Sequence, residues 1–222
     1  MRPPPHPLPT PPLSPVGHRQ LCESVASSTP PSRVAIVSRA NRKVSAKDVT
    51  ISPRYIYYYA RKHGGFCTNC DTGAHIKDAV DVLLQKGAVA DEAWPYKAGE
   101  FAAEPPEEIE KAEHYRISEA RHIRNIDELK IALQKVGPIV GGLCLFQSAY
   151  TDEALRTGRI PMPDPGERIR SAAAVCFISF DDVEGLLKFR GPWGPHWGDR
   201  GYGYVSYAYA EQFLSDTWAI AM

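Results

Sequence analysis

A loop rich in tryptophan and glycine near the C-terminus constrains the fold more than any other stretch of the sequence. Its two Trp-Gly pairs, Trp193-Gly194 and Trp197-Gly198, stand four residues apart and are followed by Gly201-Tyr202. Short apolar runs at 186–189 and 202–207 flank the loop and have the composition of strands. Glycines and prolines between these runs permit a tight bend in which indole rings pack beside close backbone. The sequence therefore predicts a sharply folded corner between two strands.

Helices are predicted upstream of this corner. Ser52 can cap a helix that has Pro53 at its first position and apolar residues at helical spacing up to Ala60. A second helix is predicted to open at Asp71 or Thr72 and to run to about Lys86, where Gly87 stops it. Two more elements are predicted further on, an amphipathic helix over 126–136 and a buried strand over 138–145.

Composition restricts the class of protein. A chain of 222 residues has room for one domain of two lobes, or for two small domains, and 43% apolar with 23% charged residues is ordinary for a globular protein. The net charge of zero gives no indication of a nucleic-acid or membrane partner. No apolar run approaches the roughly 18 residues that span a bilayer, and no signal peptide is visible, so a cytoplasmic location is the default expectation.

The Trp-Gly loop resembles the C-terminal signature of papain-like cysteine peptidases, the C1 family. That signature reads Asn-Ser-Trp-Gly, two residues, Trp-Gly, two residues, Gly-Tyr, and the tryptophans, glycines and tyrosine match here. The Ser52–Ala60 helix resembles the family's Leu-Ser-Pro-x-x-Leu-Tyr helix, and Trp94-Pro95-Tyr96 and Gly158-Arg159-Ile160-Pro161 are also family-like. The likeness covers roughly residues 50 to 220, with fewer identities over 14–50.

The resemblance implies an α+β fold of two lobes. The expected arrangement is a helical left lobe packed against a right lobe formed by an antiparallel β-sheet or barrel. Residues 1–15 are proline-rich and are predicted to be a disordered tail. The papain-like domain is then expected over 16–222, with the left lobe at about 16–112 and the right lobe at about 113–222.

Three of the family's four chemical positions hold residues that cannot perform its chemistry, and the fourth holds an arginine that could at best donate a hydrogen bond. Val25 takes the place of the nucleophile and Arg19 that of the oxyanion glutamine. Ala173, in a strand expected over 171–182, takes that of the histidine, and Gly191 that of the asparagine. A thiol peptidase needs a thiolate, an imidazole and a group that orients the ring. The resemblance therefore implies a catalytically inactive pseudo-peptidase.

The family's groove is expected to persist between the lobes. Thr72, Gly73 and Ala74 occupy the stretch where the family pairs glycine backbone with an extended peptide, and Trp193 and Trp197 are expected to form the other wall. The expected partner is a peptide or a protein, in which case the chain could be a subunit of a larger assembly. A structural or assembly protein that uses the fold only as a scaffold is a further alternative.

An active cysteine endopeptidase with relocated catalytic residues is the main rival interpretation. Cys22 and His196 are the first candidates for such a relocated pair. Cys176 follows Ala173 by three residues on the same strand, so alternation points it to the opposite face. Cys144 and Cys176 stand in apolar strands and are most simply small core residues.

A compact set of possible metal ligands lies between the first two helices. Cys67 and Cys70 have the Cys-x2-Cys spacing of a zinc site, and His63 and His75 stand four and five residues outside them. The resemblance to papain-like peptidases instead implies a disulfide of Cys22 with Cys67 or Cys70, and free thiols are the third alternative. Apart from this possible zinc, no cofactor is expected.

Overall fold

The computed structural model describes residues 51–97, 100 and 102–221. The proline-rich tail and three of the residues assigned above, Arg19, Cys22 and Val25, lie outside this part of the chain. No helix of the described ranges is long and apolar enough to cross a membrane.

Two helices lie in the part of the left lobe that the structure describes. Helix α1 is Pro53–His63, and it begins as predicted, because the Ser52 hydroxyl accepts a hydrogen bond from the Tyr55 N–H at 3.1 Å. The same hydroxyl donates to the Trp94 carbonyl at 2.6 Å and so fastens the start of the helix to the Trp-Pro-Tyr turn. Short 3-10 turns follow at Asp91–Ala93 and Glu107–Lys111.

Helix α2 is Ile76–Gln85, so the predicted start at Asp71 or Thr72 is wrong. Gly73 has a φ of 82°, in the left-handed region, which a right-handed helix cannot include. The helix therefore opens only after this residue. It ends next to Gly87, as predicted.

The right lobe is a six-stranded sheet in which every pair of neighbours is antiparallel. Its order is β1-β6-β2-β3-β4-β5, so the sheet is open and is not a closed barrel. The strands are β1 Glu119–His122, β2 Ile139–Phe146, β3 Ile169–Asp181, β4 Leu186–Arg190, β5 Tyr202–Ser206 and β6 Leu214–Ala221.

Three helices accompany the sheet: α3 Ile126–Lys135, α4 Asp152–Thr157 and α5 Tyr207–Phe213. Helix α3 and strand β2 lie where the sequence predicts them, and Asn125 caps α3 by accepting from the Glu128 N–H at 2.8 Å. Helix α4 follows strand β2 after a short 3-10 turn at Gln147–Tyr150. It is capped by Thr151 and ends at Gly158, whose φ is 72°.

The buried residues form two clusters, one on each face of the sheet. The right-lobe core includes Leu129, Leu143, Phe177, Phe189 and Phe213. The interlobe core joins the left-lobe helices to the sheet and includes Tyr55, Leu83, Trp94, Val140 and Cys176. Together the helices and the sheet confirm the predicted α+β architecture.

Candidate functional site

Ala173, the residue predicted at the family's histidine position, contributes only a methyl group to the core. Ala173 lies on β3 opposite Leu143 of β2 and is 2% exposed, within the right-lobe core. Cys176 belongs to the interlobe core, on the other face of the sheet, as strand alternation predicts. The alanine and valine side chains at 172–175 can neither accept a proton from a nucleophile nor deliver one to a leaving group.

The space beside Gly191, the residue predicted at the family's asparagine position, is filled by a neighbouring ring. Gly191 directly follows β4, and its N–H donates to the Gly201 carbonyl at 3.1 Å. A Cβ added to Gly191 would lie 2.3 Å from Cε3 and 2.4 Å from Cζ3 of Trp193. The indole therefore occupies the space that an asparagine side chain would need.

The tryptophan corner has the predicted form. The ring centroids of Trp193 and Trp197 are 4.3 Å apart, and Phe189 lies 6.4 Å and 6.1 Å from them. All three rings pack against the right-lobe core, and both indoles stay partly exposed. Gly194 lies between the two tryptophans and Gly198 directly follows the second, and their positive φ values of 85° and 58° turn the chain at both places. The corner fixes the indoles on the right-lobe side of the molecule.

The predicted groove stretch on the left lobe is bonded to helix α1. Gly73 is buried, and its N–H donates to the Tyr57 hydroxyl at 3.0 Å. Thr72 beside it is exposed and Ala74 is half-buried. Because the Gly73 N–H is already bonded inside the protein, an extended peptide that pairs with this stretch would use other backbone groups.

A buried arginine and a tyrosine hold the chain between Thr68 and Gly73 in place, and the sequence interpretation missed them. Arg61 is fully buried, with its guanidinium carbon 4.1 Å from the centroid of the Tyr57 ring. Its Nη1 donates to the carbonyls of Thr68 at 2.9 Å and Cys70 at 2.6 Å. The Tyr57 hydroxyl donates to Asp71, and burial together with this hydrogen bond raises the pKa of Tyr57 to about 12. The four-residue spacing of the two side chains on α1 was the available signal.

The cysteines between α1 and α2 differ from all three of their predicted states. Cys67 and Cys70 form a disulfide with each other. Neither sulfur is then a thiolate that could bind zinc beside His63 and His75, and neither is bonded to Cys22.

The remaining described cysteines lie in the cores. Cys144 is 0% exposed but is also disulfide-bonded, so it is more than the small core residue that the sequence predicts, whereas Cys176 is 5% exposed. His196, the suggested partner of a relocated nucleophile, is exposed on the loop between the two Trp-Gly pairs.

A helical lobe set against an antiparallel sheet, with two Trp-Gly pairs at the corner after β4, defines a papain-like protein. The sequence profile of the family described as papain family cysteine protease matches residues 11–215. The chain therefore belongs to the papain family, peptidase family C1.

Known relatives agree with this assignment. The uncharacterized peptidase C1-like protein L477 of Acanthamoeba polyphaga mimivirus is 26% identical over 195 residues, which are 82% of this chain and 62% of that protein. The chain thus spans less than two thirds of this curated relative. Xylellain, a cysteine protease from Xylella fastidiosa, superposes with a TM-score of 0.77 at 25% identity, over 92% of this chain and 89% of its own. The Carica candamarcensis cysteine protease CMS1MS2, solved in complex with E-64, shows the same fold with a TM-score of 0.64 at 15% identity, over 92% and 96% of the two chains.

Proposed function

We propose that this chain is a catalytically inactive member of the papain family that binds an extended peptide or a partner protein in the groove between its lobes. The observation that carries the proposal is the pair of residues at the family's histidine and asparagine positions. Ala173 offers no proton acceptor, and the space beside Gly191 holds the ring of Trp193. A thiol at the nucleophile position would have neither a base nor a group to orient one.

The described cysteines support the same conclusion. Catalysis requires a thiolate that a substrate carbonyl can reach. Cys67 and Cys70 are bonded to each other, and Cys144 and Cys176 are buried within the two cores. None of the four described cysteines is therefore a candidate for a relocated nucleophile.

Binding needs less of the site than cleavage does. Tyr57 fastens the backbone at Gly73, and Arg61 fastens the chain just before it, at Thr68 and Cys70, so a ligand would not have to order that stretch on binding. On the right lobe, the partly exposed indoles of Trp193 and Trp197 offer a rigid aromatic wall of the kind that anchors peptide ligands. A preformed groove of this kind holds a peptide without an attacking group.

The test combines a cleavage assay with a binding assay. The full chain is incubated with a mixed peptide library, with and without a thiol-alkylating agent, and mass spectrometry identifies cleaved and retained peptides. A retained peptide is then labelled, and its Kd is measured by fluorescence anisotropy. We expect intact peptides, saturable binding and no effect of alkylation.

A pair of glycine variants shows whether binding occurs at the predicted groove. Gly73 and Gly166 have nearly equal φ values of 82° and 83°, so an alanine strains both backbones alike. Gly166→Ala has open space around it and serves as the control. We expect Gly73→Ala to raise Kd about tenfold or more, which corresponds to about 1.4 kcal/mol, and Gly166→Ala to leave it unchanged.

Two results would contradict the proposal. Cleavage that alkylation abolishes would identify an active peptidase and direct attention to Cys22 and His196. A lack of both cleavage and binding would favour a structural or assembly role for the fold.

A further inference from the structure

A histidine and two aspartates meet where the end of α1 packs beside the first turns of α2. His63 is the last residue of α1, and Asp78 and Asp81 stand three residues apart on α2. One ring nitrogen of His63 and one carboxylate oxygen of each aspartate lie within 4.8 Å of one another. His63 Nε2 is 3.4 Å from Asp81 Oδ2. Three potential metal ligands from two helices therefore converge on one point.

One carboxylate oxygen of Asp78 is buried without a hydrogen-bond partner in the described residues. The residue is 9% exposed, and its Oδ2 atom is fully buried without a hydrogen-bond donor in the described part of the chain. A Cβ added to Gly64 would lie 2.3 Å from this oxygen, so the carboxylate points at the end of α1, next to His63. The carbonyls at a helix C-terminus are electronegative and favour a cation over a carboxylate. An unpaired buried carboxylate in that place is costly unless a positive charge joins it.

We propose that His63, Asp78 and Asp81 bind a divalent transition-metal ion of the zinc type. Zinc takes imidazole nitrogen and carboxylate oxygen at about 2.0–2.2 Å, and three protein ligands with one water complete a tetrahedral site. Calcium and magnesium prefer six or more oxygens in all, and this set offers an imidazole instead. The proposed site shares only His63 with the Cys-x2-Cys set predicted from the sequence, and it leaves the Cys67–Cys70 disulfide intact.

A lysine is the competitor for this position. Lys77 forms an ion pair with Asp81, one turn apart on α2. The lysine side chain is 59% exposed, and exposed pairs of this spacing are weak. A doubly charged ion between two carboxylates can displace it into solvent. Removal of the lysine charge should therefore strengthen metal binding.

The test is a zinc titration of the full chain after treatment with a chelator, with the disulfide kept oxidised. Isothermal titration calorimetry with ZnCl2 gives Kd and stoichiometry, and cobalt absorption distinguishes nitrogen and oxygen ligands from thiolates. We expect one zinc per chain. Asp78→Asn and Asp81→Asn should each raise Kd at least about tenfold. Lys77→Ala should lower it.

Asp182→Asn is the matched control. Asp182 forms an ion pair with Lys130, as Asp81 does with Lys77, but among the described residues it belongs to no group of three possible metal ligands. It should leave zinc affinity unchanged. If the Asp78→Asn variant does not fold, Asp81→Asn alone provides the test, because Asp81 is only half-buried. Failure of the wild-type chain to bind zinc would overturn the proposal, as would unchanged affinity in Asp81→Asn. Cobalt spectra with thiolate bands, lost in a Cys67→Ser variant, would overturn it in favour of the Cys-x2-Cys set.

Discussion

Replacement of Gly191 by alanine tests whether the Trp193 ring fills the asparagine position. The added Cβ would meet two ring carbons at 2.3 Å and 2.4 Å, whereas carbon atoms pack best at about 3.5–4.0 Å. The indole must therefore move by about 1 Å or more. It has little room to do so, because Trp197 lies 4.3 Å away and Phe189 6.4 Å away, centroid to centroid.

Overpacking of this kind costs about 1–3 kcal/mol of the free energy of unfolding. For a chain of this length, each kcal/mol lowers Tm by about 2–4 °C. Urea unfolding of the wild type, Gly191→Ala, Trp193→Ala and the double variant forms a complete mutant cycle. We expect Gly191→Ala to be destabilising alone and nearly neutral in the Trp193→Ala background.

Either of two results would refute this reasoning. Gly191→Ala could prove as stable as the wild type, which would mean that the ring does not occupy the space beside Gly191. The alanine could also cost the same with and without Trp193, which would place the strain elsewhere. A further variant, Gly191→Asn, restores the family residue and should be more destabilising than alanine because its side chain is larger.

Two further predictions concern tyrosine hydroxyls. Tyr209→Phe removes the buried bond from the hydroxyl to the Cys144 carbonyl, 2.7 Å long, and should lower the free energy of unfolding in urea by about 0.5–1.5 kcal/mol. Tyr150→Phe, which alters an exposed hydroxyl, should change it little, and equal losses in the two variants would contradict the assignment. Tyr57 has its pKa raised from 10.0 to about 12, so the stability it contributes is complete below pH 10 and is lost as pH rises towards 12. Tyr57→Phe should therefore lose less stability than the wild type between these pH values in urea titrations, and identical slopes would count against the raised pKa.

Parts of the fold were predictable because local signals determine them. The start of α1 follows from a serine cap and a proline at the first position, and both act within a few residues of the chain. The start of α2 was not predictable in this way. The side chain of His75 at its N-cap makes no capping hydrogen bond, and the left-handed Gly73 before it is bonded to Tyr57 from another helix. Such a tertiary contact leaves no local pattern.

The candidate site likewise has some features that the sequence predicts and others that depend on tertiary packing. Gly191 could be placed because it stands two residues before Trp193, and Ala173 because the stretch over 171–182 resembles the family's strand. The filling of the Gly191 space by Trp193 could not be inferred, since it depends on the turn between them. The meeting of His63 with Asp78 likewise depends on how two helices pack, and the nearby Cys-x2-Cys pattern drew attention to different ligands.

The position of strand β3 has a consequence for how the molecule unfolds. Ala173 and Phe177 belong to the right-lobe core, whereas Ala174 and Cys176 belong to the interlobe core. Strand β3 thus contributes side chains to both clusters. Loss of either core removes the packing from one face of the strand. The two lobes are therefore expected to melt in a single cooperative transition. Hinge separation of the lobes would expose the same buried strand, so we expect the two lobes to move little relative to each other.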